Sequence, residues 1–348
     1  MIRYLNRMEY EVTIGIPMYN VEDYINRTMA SALSQTYANI QFLIVDDGST
    51  DNSVNIVEEI RKFHPRKKDI HLIVLPNNQG PSNARNLIIE KAQGKFLFFM
   101  DSDDIIREDT ISLMMKYVIQ EKADIVFGSL EIIGLSGERT LIQYPEMHFY
   151  KGDDFAMFSY RKYAGIQASS CNILARLSII RENGLRFFPS NFWEDFVFVL
   201  DLVTYYSRAV LLSDITYTYL CRLNSLSNFQ ERNAVDKSEV LRNIEVAGFL
   251  KANSCRLKTK PYYPQRCYVA AMTDFYIACH ILKQQQIIIP PMTYKEIKSL
   301  FTHPASFFEI CSFRQCRLNN LFLYLLGKMP YYFSVPIVWI LGKKKKLI

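Results

Sequence analysis

Over its first 130 residues the chain alternates short apolar runs with stretches of helical spacing. Val12 to Pro17 reads as a strand. Glu22 to Ser34 follows, with Tyr24, Ile25, Met29, Ala32 and Leu33 at helical spacing. Gln41 to Val45 is a second strand, and Thr50 or Asp51 caps a helix running to about Phe63. His71 to Leu75 is a third strand. Pro81 starts a helix that Gly94 ends, the usual placing of proline just inside and glycine just past a helix. Lys95 to Met100 is a fourth strand, Asp109 opens another helix to about Glu121, and Asp124 to Gly128 is a further strand. This rhythm predicts an α/β fold, a mainly parallel sheet flanked by helices.

After about residue 135 the alternation fades. Residues 140 to 230 are mixed, with Trp193-Glu194-Asp195 at the start of a helix. From about 235 onward the spacing is mostly helical, most clearly over Asn233 to Ala252 and Tyr263 to Lys283.

Composition narrows the classes. With 348 residues, 49% of them hydrophobic, the chain can build one large domain, or one domain with an extension. The formal charge is +6, and the densest basic runs are Arg66-Lys67-Lys68 and Lys343 to Lys346. Neither makes the concentrated basic helix of a nucleic-acid binder. A phosphate-bearing ligand or an anionic membrane surface accounts for both. The seven cysteines contain no C-x-x-C pair, and the first 170 residues hold none. That points away from a disulfide framework or a zinc site and toward a reducing cytoplasm. Met1 to Glu11 is polar, with no apolar stretch of signal-peptide length. Near the other end, Leu321 to Leu326 and Pro330 to Gly342 are apolar but separated by Lys328 and Pro330. Neither reaches the ~20 residues of a spanning helix. With Lys343 to Lys346 behind them, they suggest a chain end that touches the cytoplasmic membrane face without crossing it.

The chemistry concentrates at strand ends, where ligands bind in open α/β sheets. Asp101-Ser102-Asp103-Asp104 closes the fourth predicted strand. In an extended segment Asp101 and Asp103 point the same way. Carboxylates beside a nucleotide diphosphate make sense with Mg²⁺ or Mn²⁺ between them, and both ions prefer oxygen ligands. Asp46-Asp47-Gly48-Ser49-Thr50-Asp51 closes the second strand. Asp46 and Asp47 could accept from a nucleobase N–H or ribose hydroxyls, and Tyr19 could stack on a base. Asn78 to Asn86 is a turn entering a helix, where Arg85 could reach either a phosphate or the aspartate cluster.

Together these segments resemble glycosyltransferase family 2, inverting enzymes with the GT-A fold. The resemblance rests on Ile16-Pro17-Met18-Tyr19-Asn20, Ser34-Gln35-Thr36-Tyr37, Val45 to Asp51, Gly80 with Ala84-Arg85-Asn86, Gly94-Lys95, and Asp101 to Asp104, in family order over about residues 10 to 130. It implies a nucleotide-sugar donor, by analogy a UDP-sugar, held by Pro17, Tyr19, Asp46, Asp47, Arg85, Asp101 and Ser102. It also implies a metal on Asp103 and a catalytic base at Asp195, in the downstream Glu194-Asp195 pair. Arg222, with Ser225 and Ser227, resembles an R-x-x-S-x-S segment of bacterial surface-polysaccharide enzymes and would help hold the diphosphate. The expected organisation is a GT-A catalytic domain over residues 10–230, with the nucleotide at 10–130 and the acceptor at 131–230. A helical region over 231–348 would follow. The acceptor would be a glycan or a lipid-linked glycan. The Q-x-x-R-W signature of processive members is absent, which suits transfer of one sugar per acceptor. Two rivals are a nucleotidyltransferase and an inactive nucleotide-sugar-binding protein. The first needs a Gly-rich phosphate loop where Pro17 to Glu22 stands, and the second would be expected to have lost Asp103 or Asp195.

Overall fold

The structure is a computed structural model and describes residues 10–161, 166–222 and 233–348. The chain divides into two compact units. The first takes residues up to Phe155, Ala168–Pro189 and Leu202–Ser225, and the second takes Ala156–Gln167, Ser190–Asp201 and Leu226–Ile348.

The first unit is built on one twisted sheet. Its parallel half comprises β1 (Tyr10–Met18), β2 (Ile40–Asp46), β3 (Ile70–Val74) and β4 (Gly94–Phe99), in the order β3-β2-β1-β4. Helices α1 (Ile25–Leu33), α2 (Ser53–Phe63) and α3 (Pro81–Lys91) make the crossovers that parallel neighbours require. Every residue of β2 is buried, as expected of a strand covered on both faces. Beyond β4 the sheet continues through β9 (Ile173–Arg176), β6 (Ile125–Ile133), β10 (Ala209–Leu220) and the short β5 (Ile105–Ile106). β9 runs antiparallel to both β4 and β6, whereas β6 and β10 are parallel. Two further strands, β7 (Arg139–Ile142) and β8 (Met147–Phe149), add antiparallel edges to β6 and β10. Helices α4 (Thr110–Gln120), α5 (Asp154–Arg161) and α6 (Leu177–Glu182) lie between these strands in sequence.

Several expected boundaries move. Gly94 does not end α3; the helix stops at Lys91 and Gly94 opens β4. A Cβ on Gly94 would lie 2.4 Å from the Thr13 nitrogen, so glycine is needed for close strand approach rather than for a helix cap. The N-cap of α2 is Asn52 rather than Thr50 or Asp51, although Asp51 Oδ1, just outside it, accepts the Ser53 N–H at 3.0 Å. α1 begins at Ile25, three residues late, after a turn in which the Tyr24 and Ile25 N–H groups both donate to the Val21 carbonyl at 2.9 Å.

The second unit is mostly helical. It contains nearly all of α7 (Glu194–Leu202), then α8 (Lys237–Ser254), α9 (Tyr263–Gln284), α10 (Tyr294–Ser299), α11 (Phe307–Ser312), α12 (Arg317–Lys328) and α13 (Tyr331–Lys344). The helix expected from Asn233 starts instead at Lys237. Val235–Asp236 (β11) pairs with Ile288–Ile289 (β12), and Asp236 caps α8 by accepting the Ser238 N–H at 2.7 Å. Arg266 of α9 is wholly buried and donates to Ser254 Oγ (2.8 Å), Tyr160 Oη (2.7 Å), Asp201 Oδ1 (2.6 Å) and the Leu250 carbonyl (3.0 Å). Burial opposes its charge, but Tyr160 and Asp201 outweigh that, so the guanidinium titrates above its ordinary value. One side chain thus ties α9 to α5, α7 and α8.

A second buried charge pair joins Lys251 of α8 to Asp274 of α9, with both carboxylate oxygens 3.1 Å from Nζ. Burial pushes the Asp274 carboxyl up to about 7 from 3.8, against the pull of Lys251. Between those values the folded protein keeps a proton that the unfolded chain has released, so this group makes stability fall as pH rises from about 4 to 7. Asp274→Asn removes that titration. Its thermal midpoint is expected to vary less with pH across that window than the wild type's. An unchanged slope in the variant would place the pH dependence elsewhere.

Candidate active site

The two acidic segments lie at the same edge of the parallel half-sheet, one on each side of β1. Met18 pairs with Asp46, and the Asp47 N–H donates to the Met18 carbonyl at 2.8 Å. On the other side of β1, the last bond to the β4 chain runs from Met100 N–H to the Gly15 carbonyl at 3.1 Å. Pro17 lies two residues further and faces the same neighbour, but it has no N–H to extend the ladder. The pairing of β1 with the β4 chain stops there, and Tyr19, 42% exposed, follows β1.

Asp46 and Asp47 are both buried, and both hold backbone. Asp46 Oδ2 accepts from Gly48 N–H (3.1 Å) and Ser49 N–H (3.0 Å), while its buried Oδ1 has no hydrogen-bond partner. Asp47 accepts from Gln79 N–H (2.9 Å) on one oxygen and Gly80 N–H (2.7 Å) on the other. Burial raises its carboxyl above the usual range, with the two N–H bonds pulling the other way. Asp47 therefore sets the turn into α3, where Gly80 has a φ of 90°. A carboxylate has about four lone-pair sites, so neither bonding pattern uses up its acceptor capacity.

The residues after Asp47 stitch the loops that follow β1 and β2. Ser49 Oγ accepts the Asn20 N–H at 2.9 Å, Ser53 Oγ accepts the Val21 N–H at 2.9 Å, and Asn20 Oδ1 accepts the Thr50 N–H at 2.8 Å. A turn-rich polar run in the sequence signals a loop, but not which loop it will bind.

Asp101 to Asp104 form a turn, closed by Asp104 N–H to the Asp101 carbonyl at 3.3 Å, and not the extended run expected from the spacing. The chain turns because Asp104 is drawn into the core. Its Oδ2 accepts from Tyr217 Oη at 2.6 Å and its Oδ1 from Leu220 N–H at 2.9 Å, both on β10. Tyr217 Oη also accepts the Asp101 N–H at 3.1 Å. From α1, Thr28 Oγ1 donates to the carbonyls of Ser102 (3.0 Å) and Asp104 (2.9 Å), and Arg27 donates to the Asp103 carbonyl (3.2 Å). Ser102 is buried within this clasp.

The side chains of Asp101 and Asp103 each face an arginine. Arg85 of α3 donates to Asp101 Oδ1 at 2.9 Å, and its guanidinium lies 5.5 Å from the Phe187 ring centre. Of the two partners the sequence left open for Arg85, the structure shows the acidic one. Arg222 forms an ion pair with Asp103 Oδ2 and lies over the Tyr24 ring at 5.2 Å. Asp103 is the expected metal residue, yet here its partner is the arginine expected to hold the diphosphate. Burial and the neighbouring Asp101 raise the Asp103 carboxyl, with Arg222 opposing. Asp104 is raised well above its ordinary value, by burial first and then by Asp101 and Asp103. Ser225 and Ser227 lie outside the described residues.

Glu194 and Asp195 occupy the first turn of α7, in the second unit. Trp193 precedes them in the left-handed region, with φ 66°. Glu194 is buried and Asp195 half-buried.

Comparison with known proteins adds to this geometry. The family described as Glycosyl transferase family 2 matches residues 13–184. A Haemophilus influenzae protein named as an uncharacterized glycosyltransferase is 31% identical over 202 residues, covering 58% of this chain and 75% of that one. The chain belongs to glycosyltransferase family 2. Among other relatives, the Escherichia coli enzyme WfaP is named as a UDP-Glc:alpha-D-GlcNAc-diphosphoundecaprenol beta-1,3-glucosyltransferase. It is 29% identical over 239 residues, 68% of this chain and 87% of the enzyme. For several other curated relatives the matched stretch is under half of their length. Staphylococcus aureus TarS 1–349, solved with UDP, superposes with a TM-score of 0.63 at 17% identity, covering 91% of this chain and 90% of that one. That likeness establishes the GT-A fold for this glycosyltransferase.

Tyr217 was not foreseen from the sequence, where it is one of 22 tyrosines. Tyr217→Phe removes a hydroxyl that serves Asp104 and the Asp101 N–H together. Loss of a buried hydrogen-bonding group costs about 1–3 kcal/mol. The variant is expected to fold with a lowered thermal midpoint and reduced transfer. Wild-type stability and activity together would show that the turn holds its shape without the hydroxyl.

Proposed function

We propose that this glycosyltransferase takes a UDP-sugar and passes one sugar, with inversion at the anomeric carbon, to a hydroxyl of a glycan or lipid-linked glycan. The setting would be assembly of a bacterial surface polysaccharide. The observation that carries this reading is the placing of Asp46-Asp47 and Asp101 to Asp104 on either side of the end of β1, at one edge of the parallel half-sheet. The names of WfaP and of the UDP-bound TarS support a uridine donor and, for WfaP, a diphosphoundecaprenol-linked acceptor. Residues 10–130 are the nucleotide half in this reading. Exposed Tyr19 stacks on the base. Asp47 contacts the base with Asp46 beside it, and Asp101 faces the ribose. Pro17 and Ser102 keep the two strand ends apart and in shape.

Mg²⁺ or Mn²⁺ fits the donor set. Asp101 and Asp103 are hard oxygen ligands; burial first, and then the neighbouring Asp101, raises the Asp103 carboxyl, and a cation would favour its charged form. No group of three or more His, Cys, Asp or Glu poised for a metal occurs among the described residues. Mg²⁺ is usually held by one or two carboxylates plus substrate phosphates. When bound, such an ion offsets charge on the departing diphosphate. Arg222, paired with Asp103 in this structure, would then turn to the diphosphate, and Arg85 keeps Asp101 in place. Asp195 takes the proton of the attacking hydroxyl.

A donor screen by nucleotide release, with and without Mn²⁺ or Mg²⁺, tests the reading directly. Asp103→Ala is expected to abolish turnover in a folded protein, and full wild-type activity in excess EDTA would remove the metal from the mechanism. Asp195→Asn keeps the shape and removes the basicity. Transfer should fall by roughly two to four orders of magnitude, the usual worth of a general base, with donor binding little changed. Equal loss of binding and transfer would reassign Asp195 to the donor.

A further inference from the structure

The last two helices of the second unit each bury one stripe and expose an apolar one on the opposite face. In α12, Asn320, Leu323 and Leu326 point inward. Leu318, Phe322, Leu325 and Met329 follow the i, i+4, i+7, i+11 pattern of one helix face and are all exposed, Leu318 by 75%. In α13, Ser334, Val335, Val338 and Gly342 are buried. The inward packing is close, since a Cβ on Gly342 would lie 2.8 Å from Cys279 Sγ of α9. Tyr332, Phe333, Trp339 and Ile340 lie on the opposite arc and are exposed. A folded domain ordinarily turns such stripes inward, and large exposed apolar patches mark interaction sites.

The charge around these stripes selects the partner. From Ile310 to Ile348 the sequence contains no Asp or Glu, while Arg314, Arg317, Lys328 and Lys343 to Lys346 are all basic. Lys343 Nζ lies 3.9 Å from the centre of the Trp339 ring, so a lysine stands directly against the apolar stripe. Arg314 and Arg317 line an open cleft of about 610 Å³ beside Phe313 and Leu318. A protein partner would need a long, wholly acidic rim around an aromatic centre. A bilayer of anionic lipid supplies negative charge and an apolar layer together, and aromatic rings favour its interface. α13 is only 14 residues long, and no helix among the described residues is long and apolar enough to cross a membrane. These helices therefore suit lying in the headgroup plane rather than spanning.

We infer that the outward faces of α12 and α13 form a docking surface for an anionic phospholipid bilayer. The rings and aliphatic side chains enter the interface, and the arginines and lysines engage the headgroup phosphates. The inference stands on this surface alone and does not depend on the donor, metal or base assigned above. A bilayer-bound acceptor would be one use for it.

Vesicle co-sedimentation of the full chain tests it. The wild type is expected to pellet with phosphatidylglycerol-containing vesicles, to stay in solution with pure phosphatidylcholine, and to be released at least partly by high salt. Two variants separate the contributions. Phe322→Ser with Trp339→Ser removes apolar contact at exposed positions. Lys343→Gln, Lys344→Gln, Lys345→Gln and Lys346→Gln together remove charge from exposed side chains and leave the fold intact by thermal midpoint. Each is expected to weaken binding by about tenfold or more. Failure of the wild type to bind anionic vesicles would overturn the inference, and so would equal binding of wild type and the lysine variant. A wild type that ignores vesicles but self-associates in sedimentation velocity, with the Phe322/Trp339 variant monomeric, would assign the face to a second copy of the chain instead.

Discussion

Three carboxylates within four residues repel one another, and the first unit is arranged so that Asp101, Asp103 and Asp104 can nevertheless sit together at the end of β4. Each has its own compensation: Arg85 for Asp101, Arg222 for Asp103, and Tyr217 with the Leu220 N–H for Asp104. The partners come from α3, from β10 and from the segment just beyond it, while α1 grips the backbone of the same turn. Removing one partner would leave a partly buried charge with its neighbours' repulsion unopposed, a larger loss than the net worth of the bond itself. The elements around the turn are thus coupled through it.

The same coupling links the two acidic segments. Asp47 fixes the Gln79–Gly80 backbone, that backbone leads into α3, and α3 carries Arg85 to Asp101. Asn86, one residue on, exchanges hydrogen bonds of 2.9 Å with the backbone of Phe187, and the Phe187 ring lies beneath the Arg85 guanidinium. A carboxylate at one strand end therefore positions the cation that serves the carboxylate at another. Such chains are a physical reason for motif residues to travel together. Asp47 and Arg85 contribute to the geometry of the edge whether or not each touches a ligand.

Much of the fold was legible because periodicity and turn chemistry report local structure. The strands and helices of the parallel half fall within a few residues of their expected places, and Asp46-Asp47 and Asp101 to Asp104 come to one edge as a parallel sheet requires. What escaped depended on partners far away in the chain. Gly94 looked like a helix stop until Thr13, 81 residues away, showed that it was a point of close approach. Asp101 to Asp104 looked extended because Tyr217 and Leu220, which pull Asp104 inward, lie more than 110 residues on. β9, antiparallel between β4 and β6, lies in the stretch where alternation fades. It pairs through four residues only, too few to show a period.

The second unit has an apolar core, but it also buries charge within it and leaves apolar surface outside. Its interior holds Arg266 with Asp201 and Lys251 with Asp274, both pairs buried. Its last two helices show aromatic and aliphatic side chains to the outside. Buried ion pairs often add little net stability against an apolar replacement, because desolvating both charges offsets most of their attraction. What they supply is geometry, since a buried guanidinium with five donors tolerates few arrangements of its acceptors. Arg266 specifies how α5, α7 and α8 meet α9, and α7 carries Glu194 and Asp195 in its first turn. An apolar face left outside has the opposite character. It adds nothing to the folded chain alone and gains free energy only when something excludes water from it. Inside this unit, then, charge specifies a single packing, while the apolar surface retains its driving force for a partner beyond the chain.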